Sequence, residues 1–243
     1  MNTKWEKKYI LRANDFDKFD RIMPSAILDL FQDAAGRHAE EIGVGLEDMF
    51  RRSYLWVIVR IKFKILSAPK RYQEVTVKTW PLPPDKLHYR REYCMENEAG
   101  ERLVVGSSEW VVVHSEKRRF VSDPDLYSFK EGFCEERMFP EKLGRIKDFE
   151  AVGEPRKINP GFCELDINNH VNNTKYANYV LAAINPEKDD EIEEFQIEYR
   201  KEVMEGEELN IYHLKDGNEI LAKGESCDGS LMFSCRITNV GKE

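Results

Sequence analysis

The chain has 243 residues, of which 41% are hydrophobic and 34% charged, a balance typical of folded rather than disordered or fibrous proteins. Its 37 basic and 45 acidic residues give a formal net charge of −8, which disfavours nucleic acid and anionic membranes as partners. No apolar run approaches the roughly 20 residues that cross a bilayer, and no apolar signal core follows the first residues, so we expect no membrane span and a cytoplasmic protein.

The first half of the chain predicts a short strand, one long helix and four further strands. The helix is indicated by apolar residues at three- and four-residue spacing between Ile27 and Ile42, with Pro24 in its first turn and Gly43 after its end. The strands are rich in Val, Ile, Tyr and Trp, and we place them at Trp5–Leu11, Leu55–Leu66, Glu74–Trp80, His88–Glu96 and Arg102–His114. One helix followed by an antiparallel meander predicts an α+β layer.

A segment without clear periodicity, from Ser122 to Gly153, predicts a linker, and the second half then repeats the plan. A helix with Tyr176 and Val180 on its apolar face is stopped by Pro186. Five strand-like runs surround it, at Arg156–Asn159, Ile192–Val203, Glu208–Leu214, Glu219–Ser226 and Leu231–Val240.

A shift of 149 positions superposes the two halves and indicates a tandem duplication. It places Asp17 on Asp166, but Phe19 and Arg21 stand where the second half has Asn168 and His170. Only the second half therefore keeps polar chemistry, as expected if one copy catalyses and the other shapes a substrate pocket. Divergence without function would leave the same trace.

Three polar residues ahead of the second helix, Asp166, Asn168 and His170, form the candidate site, because alternation in an extended stretch would place them on one side. A carboxylate, an amide and an imidazole together position water, donate to a carbonyl oxygen and move protons near neutral pH. A helix beginning at Asn172 or Asn173 adds backbone N–H groups that stabilise an oxyanion.

Simpler readings of the same residues compete with catalysis. Asp and Asn before a helix are ordinary capping and turn residues, and His170 can serve only a hydrogen bond within the fold. A calcium loop is disfavoured, since Val171 and Ala177 stand where such a loop needs glycine and glutamate. We expect the other four histidines to be structural: His38, His88, His114 and His213.

Cofactors and disulfides are not indicated. The five cysteines are odd in number and include no C-x-x-C pair, which predicts buried thiols rather than bridges or a zinc site; they are Cys94, Cys134, Cys163, Cys227 and Cys235. Serine-hydrolase, phosphate-loop, dinucleotide and metalloprotease motifs are also missing. We therefore expect neither a metal nor a bound cofactor. Basic doublets such as Arg90–Arg91 would attract an acidic protein if they cluster, and otherwise form a solvated surface.

Two motifs in order resemble the acyl-acyl carrier protein (acyl-ACP) thioesterase family. Leu165-Asp-Ile-Asn-Asn-His-Val-Asn-Asn-Thr-Lys-Tyr176 is similar to the family's signature, and Glu198-Tyr-Arg-Lys-Glu202 resembles its E-Y-R-x-E stretch. Softer similarities, at Thr79–Trp80, Arg90–Arg91 and Ser107–Val111, extend the resemblance over nearly the whole chain.

The resemblance implies tandem hotdog domains, each a long helix wrapped by an antiparallel sheet, with residues 1–137 holding the acyl chain and residues 138–243 supplying catalysis. Carried over residue by residue, the family's catalytic set falls on Asp166, Asn168, His170 and Glu202. Val203 stands where many plant members carry a cysteine, which favours attack by water over an acyl-enzyme.

The implied activity is hydrolysis of a fatty acyl-ACP thioester in fatty acid biosynthesis, with the acyl-loaded carrier protein as partner and either a monomer or a homodimer as the assembly. Glu202 and His170 would orient and deprotonate water, Asn168 and helix N–H groups would hold the thioester oxygen, and Asp166 would fix Asn168 and His170. Simple alternation puts Glu202 on the polar face of its strand, so its role requires a bend at the strand end. An acyl-coenzyme A thioesterase and a non-catalytic acyl-binding protein are the alternatives.

Overall fold

The computed structural model describes residues 3–127, 129 and 132–240, and the chain divides into two compact units. The first unit comprises residues 1–14 and 29–143, and the second comprises residues 15–28 and 144–243. A short stretch of the N-terminal half, 15–28, therefore packs with the second unit. It ends within the first long helix.

The helices and strands of the N-terminal half lie close to their predicted positions. They are β1 (Trp5–Ile10), α1 (Pro24–Glu41), α2 (Leu46–Arg51), β2 (Tyr54–Ile65), β3 (Glu74–Pro81), β4 (Tyr89–Glu96), β5 (Arg102–His114) and β6 (Phe120–Val121). The six-residue helix α2 and the two-residue strand β6 were not predicted, since both are shorter than a periodic pattern can reveal. Between Ser122 and Gly153, the described residues contain no helix or strand, as the missing periodicity predicts.

The strands of the first unit are antiparallel, in the order β1-β3-β4-β5-β2, with β6 beside β5. The predicted meander is correct for β3-β4-β5 but wrong for β2, which pairs with β5 along almost its whole length rather than with β3. Such non-local pairing is decided by which apolar faces meet in space, and sequence periodicity carries no signal for it.

Helix α1 packs on this sheet through aromatic and polar side chains. The Phe31 ring is fully buried and stacks on Tyr93 of β4, with ring centroids 4.6 Å apart. It also fills the space above Gly106 of β5, where a Cβ atom would collide with the ring. Further along the helix, the buried His38 lies against Arg91, whose guanidinium donates to the imidazole Nδ1 at 3.0 Å.

The basic doublet Arg90–Arg91 is structural, because its two side chains point to opposite faces of β4. Arg90 pairs with the buried Glu92 at 2.7 Å and donates to the carbonyls of Phe139 and Glu141 at 2.7 and 3.0 Å. Burial raises the pKa of Glu92 although Arg90 opposes the shift. The pair thereby fixes the linker to the sheet, so this doublet is not available as a free basic patch.

The second unit contains β7 (Arg156–Ile158), α3 (Lys175–Ile184), β8 (Ile192–Tyr199), β9 (Leu209–Asp216), β10 (Glu219–Ser226) and β11 (Leu231–Asn239). The strands are again antiparallel, in the order β8-β11-β10-β9-β7. Helices and antiparallel strands in both units confirm the α+β class. Strand β8 ends at Tyr199, four residues before the predicted end, and this early end shapes the candidate site.

The thiols depart from their expected burial. All five cysteines are free thiols, but only Cys94 and Cys235 are buried, and Cys163 and Cys227 are exposed, so the expectation of buried thiols was wrong for those two. Across the described ranges, no helix combines the length and apolar character that a membrane span needs.

Candidate active site

The loop from Asp166 to His170 is a closed turn built around the Asp166 carboxylate. Its Oδ1 accepts hydrogen bonds from the backbone N–H of Asn168 at 2.8 Å and of His170 at 3.3 Å. The Asp166 N–H donates to the His170 carbonyl at 2.8 Å, and Asn169 adopts a left-handed conformation, with φ of 61°. Asn tolerates this conformation better than most residues.

The expectation of an extended stretch was therefore wrong, although the residues that it selected lie together. The Asp166 carboxylate accepts two backbone N–H groups that would otherwise be free to pair with a neighbouring strand, so the segment forms a turn instead of an extended strand. Asp166 acts on the backbone of this turn, the Asn168 side chain is exposed at its tip, and the His170 side chain is about one quarter exposed, at 26%.

Glu202 reaches the same place because strand β8 ends in a bulge. The N–H groups of Arg200 and Lys201 both donate to the Met232 carbonyl, at 2.8 and 3.1 Å, so two residues of this strand oppose one of its neighbour. A bulge changes the direction in which the following side chains point. It supplies the bend that simple alternation lacked.

After the bulge, the chain is tied to the loop by backbone contacts. The Val171 N–H donates to the Val203 carbonyl at 2.9 Å, and His170 and Met204 form an isolated antiparallel bridge. As a result, the Glu202 Oε2 lies 3.5 Å from the His170 Nε2, with 42% of the Glu202 side chain exposed. The separation is slightly longer than an ordinary hydrogen bond.

Helix α3 begins at Lys175, later than predicted. The backbone N–H groups that were expected to stabilise an oxyanion therefore lie ahead of the helix or at its first residue. The Asn172 side chain accepts from the N–H of Thr174 at 3.0 Å, and the Asn172 carbonyl accepts from the N–H of Lys175 at 2.9 Å. Both N–H groups are therefore already engaged within the fold. The prediction that the helix starts at Asn172 or Asn173 was wrong by two to three residues.

The loop from Asp17 to Arg21 repeats this geometry without its chemistry. The Asp17 Oδ1 accepts from the N–H groups of Phe19 at 2.8 Å and Arg21 at 3.0 Å, the Asp17 N–H donates to the Arg21 carbonyl at 2.8 Å, and Asp20 has a φ of 64°. Phe19 and Arg21 occupy the positions of Asn168 and His170, as the shift of 149 residues predicts.

Arg21 is bound into the second unit by its guanidinium. Its Nη1 donates to the carbonyls of Glu187 at 3.0 Å, Lys188 at 3.2 Å and Asp190 at 2.9 Å, and its Nη2 pairs with Asp17 at 2.8 Å. Arginine is always protonated and only donates hydrogen bonds. In this loop the side chain at the histidine position thus anchors a turn.

The remaining histidines have other surroundings. His88 contacts Glu109 at 2.5 Å, His114 accepts from the N–H of Lys117 at 3.4 Å, and His213 is exposed on β9. The contacts of His38, His88 and His114 within the fold agree with a structural role, whereas for His213 that role stays a prediction. Within the part of the chain that the structure describes, no group of three or more His, Cys, Asp or Glu side chains is placed to hold a metal ion.

Two neighbours of the site were not predicted. Tyr176 of α3 and Tyr199 at the end of β8 pack ring against ring, with centroids 5.4 Å apart, and the Tyr199 hydroxyl donates to the Asn173 carbonyl at 2.8 Å. Both belong to the two sequence motifs, which was the available signal. Hydrophobic periodicity places both tyrosines on apolar faces, because it counts the ring and gives no information on the hydrogen-bond partner of the hydroxyl.

Two family models cover most of the chain. The model of the acyl-ACP thioesterase N-terminal domain matches residues 2–127, and that of the acyl-ACP thioesterase C-terminal domain matches residues 150–240. The four candidate residues, Asp166, Asn168, His170 and Glu202, all fall within the second range.

Among curated relatives, the chain is 26% identical over 218 residues to the chloroplastic oleoyl-acyl carrier protein thioesterase of Coriandrum sativum, covering 82% of this chain and 59% of the relative. It is 26% identical over 258 residues to oleoyl-acyl carrier protein thioesterase 2 of Arabidopsis thaliana, covering 97% of this chain and 70% of the relative. The chain thus spans 59% and 70% of the length of these two proteins.

Two solved structures share its fold. An acyl-ACP thioesterase from Bacteroides thetaiotaomicron superposes with a TM-score of 0.85 at 20% identity, over 97% of both chains. The 12:0-ACP thioesterase from Umbellularia californica gives 0.84 at 22% identity, over 100% of this chain and 99% of that chain. At such identities the superpositions establish the hotdog fold and do not establish the substrate.

Proposed function

This chain belongs to the acyl-ACP thioesterase family, and we propose from that premise that it hydrolyses fatty acyl-ACP thioesters, releasing free fatty acid in fatty acid biosynthesis. The observation that carries the proposal is the contact of His170 and Glu202, 3.5 Å apart, on two segments that are tied together by backbone hydrogen bonds. A carboxylate beside an imidazole is a suitable pair for activating water.

In the proposed reaction, water attacks the thioester carbonyl carbon. His170, supported by the Glu202 carboxylate, accepts the proton of that water as the new C–O bond forms. The Asn168 side-chain amide, exposed at the tip of the loop, donates to the oxyanion of the tetrahedral intermediate. The C–S bond then breaks, the imidazolium returns the proton to the leaving thiolate, and the fatty acid and the thiol are released.

Asp166 has a positioning role in this proposal. Its carboxylate holds the N–H groups of both Asn168 and His170, so it fixes the spacing of the two side chains that meet substrate. Val203 offers no nucleophile, and its side chain is fully buried, which supports direct attack by water over an acyl-enzyme.

We also propose that the chain is a tandem pair of hotdog domains with divided roles, residues 1–137 holding the acyl chain and residues 138–243 catalysing. The equal hydrogen-bond patterns of the loops 17–21 and 166–170 support the duplication. The presence of Phe19 and Arg21 in one loop, against Asn168 and His170 in the other, supports the division of roles.

The test is thiol release from a chain-length series of acyl-ACP and acyl-coenzyme A thioesters. We expect turnover of the carrier thioesters, a loss of about a hundredfold or more in kcat for His170→Ala, and unchanged kcat for His213→Ala, whose imidazole is exposed on β9. Comparable turnover of the coenzyme A series would assign the smaller thioester as substrate. Binding of acyl groups without thiol release would refute catalysis.

A further inference from the structure

A cleft of about 280 Å³ lies in the first unit and contains none of the residues of the proposed reaction. Strands β2, β4 and β5 contribute Arg60, Arg90 and Glu109 to its lining, and the segments 82–88 and 137–143 contribute the remaining residues. Its volume is just below the roughly 300–1,000 Å³ of pockets for drug-sized ligands, so the cleft suits a small molecule.

Two of the arginines in the lining are already paired with carboxylates. Arg90 contacts the fully buried Glu92 at 2.7 Å, and Arg60 contacts Glu109 at 3.5 Å. Glu109 also contacts the Nδ1 of His88 at 2.5 Å, so one carboxylate is shared between a guanidinium and an imidazole. This part of the cleft therefore has no excess of negative charge that would repel an anion.

The segment 137–143 adds two more cations to the lining. Lys142 contacts Asp85 at 2.7 Å, but both side chains are largely exposed, at 81% and 57%, and exposed ion pairs of this kind are weak. Arg137 is exposed too, and no carboxylate among the described residues pairs with it. The permanent cations of the cleft therefore exceed the carboxylates that pair with them by one guanidinium.

The donors of Arg137, Lys142 and His88 suit a phosphate better than a carboxylate. Guanidinium and ammonium groups only donate hydrogen bonds, and the contact of the His88 Nδ1 with Glu109 leaves its Nε2 for a ligand. A phosphate ester has three acceptor oxygens in different directions and about −1.5 to −2 charges near pH 7, whereas a carboxylate has two oxygens in one plane and one charge. Donors from two separate segments of the chain match the phosphate.

Apolar side chains complete the lining of the cleft. They are those of Leu82, Pro83 and Leu143, and both leucines are buried. Leu143 is fixed in place, since its carbonyl accepts a hydrogen bond from Arg60 at 2.7 Å. Apolar surface binds a short hydrocarbon group and, because it excludes water, strengthens the attraction between the cations and an anion.

We propose that this cleft is a binding site for a small phosphate ester, whose phosphate contacts the three donor side chains and whose short apolar group lies against the three apolar ones. The site shares no residue with the loop 166–170. The inference therefore goes beyond the proposed hydrolysis and does not depend on it.

Titration of the full chain with n-butyl phosphate, inorganic phosphate and butyrate tests the site, with the imidazole NMR signal of His88 as the readout. Of the five histidines, His88 lines the cleft, and the spectrum of His88→Gln identifies its signal. We expect n-butyl phosphate to bind about fourfold or more tighter than inorganic phosphate, the gain from burying one methylene group. We expect it to bind about tenfold tighter than butyrate, which has fewer acceptor oxygens and less charge.

Single substitutions at exposed positions test the assigned donors. Arg137→Gln should weaken the binding of n-butyl phosphate about tenfold, through the loss of charge-assisted hydrogen bonds, and Lys142→Gln should weaken it about threefold. Asp85→Asn removes the carboxylate that competes for Lys142, so it should strengthen binding. Arg119→Gln is the matched control, because Arg119 is an exposed arginine of the first unit that does not line the cleft.

Three results would overturn the proposal. They are a His88 signal that n-butyl phosphate does not shift in a saturable manner, binding of butyrate as tight as that of n-butyl phosphate, and equal weakening in Arg137→Gln and Arg119→Gln. None of these measurements requires turnover. Absence of thioester cleavage would refute the proposed function and leave the test of the cleft intact.

The source of the ester is distinguished by competition with acyl carrier protein in two forms, the holo form with its phosphate-linked arm and the apo form without it. Competition by the holo form alone would identify the ester of the arm, and competition by neither form would identify a free ester; both results support the phosphate site. Equal competition by the two forms would assign the cleft to carboxylates of a protein surface and would overturn the proposal.

Discussion

Replacing Asp166 and Asp17 by alanine, one at a time, separates the chemistry of the candidate site from the stability of its loop. Each carboxylate accepts two backbone N–H groups in the same pattern, at 2.8 and 3.3 Å for Asp166 and at 2.8 and 3.0 Å for Asp17. Hydrogen bonds to a charged group contribute about 1.5–3 kcal/mol each, and partial exposure places these at the low end. We therefore expect each variant, which loses two such bonds, to lose about 3 kcal/mol of unfolding free energy.

Asp17→Ala should be the more destabilised of the two, since Asp17 also pairs with Arg21 at 2.8 Å. Activity should follow the opposite order. Loss of the Asp166 turn frees Asn168 and His170, and we expect kcat to fall about a hundredfold, whereas Asp17→Ala should stay within about twofold of the wild type. The loop around Asp17 presents only Phe19 and Arg21, which have no role in the proposed reaction.

The assay is thiol release under saturating substrate, together with chemical denaturation of each variant. Asp166→Asn retains an oxygen acceptor for the two N–H groups and should recover part of the lost activity. An equal loss of kcat in Asp17→Ala and Asp166→Ala would show that activity follows loop integrity in general. It would refute the assignment of the second loop as the reacting one.

The remaining predictions concern the first unit. Gly106→Ala should lose about 1–3 kcal/mol of unfolding free energy, because the added Cβ would collide with the Phe31 ring and lie 3.3 Å from the Lys62 carbonyl. Gly36→Ala, where the added Cβ would meet no atom within 4 Å, should gain about 0.5–1 kcal/mol in α1. Equal effects of the two variants in denaturant titrations would contradict this prediction. The Asp33 carboxylate accepts hydrogen bonds from Tyr9 at 2.7 Å and Arg37 at 3.0 Å. Partial burial raises the pKa of Asp33, but these hydrogen bonds outweigh it and hold the pKa below the usual range. The hydrogen bonds therefore stabilise the fold above about pH 4, and that stability is lost as the pH falls below this value. Asp33→Asn should therefore flatten the acid limb of the stability profile, and an unchanged limb would show that the carboxylate is not linked to unfolding.

Local patterns predicted most elements because the signals were local. Strand β10 was predicted with its observed bounds, Glu219–Ser226, since a hairpin turn stands on either side of it and the run between them is rich in strand formers. Helix α1 was recognised from its spacing and from Pro24, which is its first residue. The pairing of β2 with β5 could not be read in this way, because it depends on contacts between residues about 50 positions apart.

The types and order of the residues were enough to select the candidate site, but they did not predict the turn and the bulge that bring its side chains together. The interpretation of 166–170 as an extended stretch ignored the ability of an Asp side chain to capture N–H groups ahead of it, a cue that was present in the sequence. The bulge at Arg200 and Lys201 had no local cue, because neither residue is a glycine and both fit an exposed strand. Its existence became visible only through the carbonyl of Met232 on the neighbouring strand.

The same bulge occurs in the first unit, and this widens the asymmetry between the halves. The N–H groups of Leu66 and Ser67 both donate to the Leu103 carbonyl, at 2.8 and 3.1 Å, the same distances as for Arg200 and Lys201 on Met232. The residue that follows this bulge is Ala68, and the residue that follows the bulge of the second unit is Glu202, so the two bulges are related by a shift of 134 positions rather than the 149 that relates the loops. The first half therefore lacks the glutamate as well as the asparagine and the histidine.

The two halves share backbone geometry but differ in the side chains that it carries. A capped turn and a strand-end bulge recur in both halves, so neither is evidence for catalysis by itself. The side chains decide: His170 and Glu202 approach to 3.5 Å in one half, while in the other Arg21 donates to three carbonyls of the turn at 187–190 and Ala68 carries no polar group. An arginine so bound cannot accept a proton from water, and we infer that a single reacting centre, in the second unit, serves the whole chain.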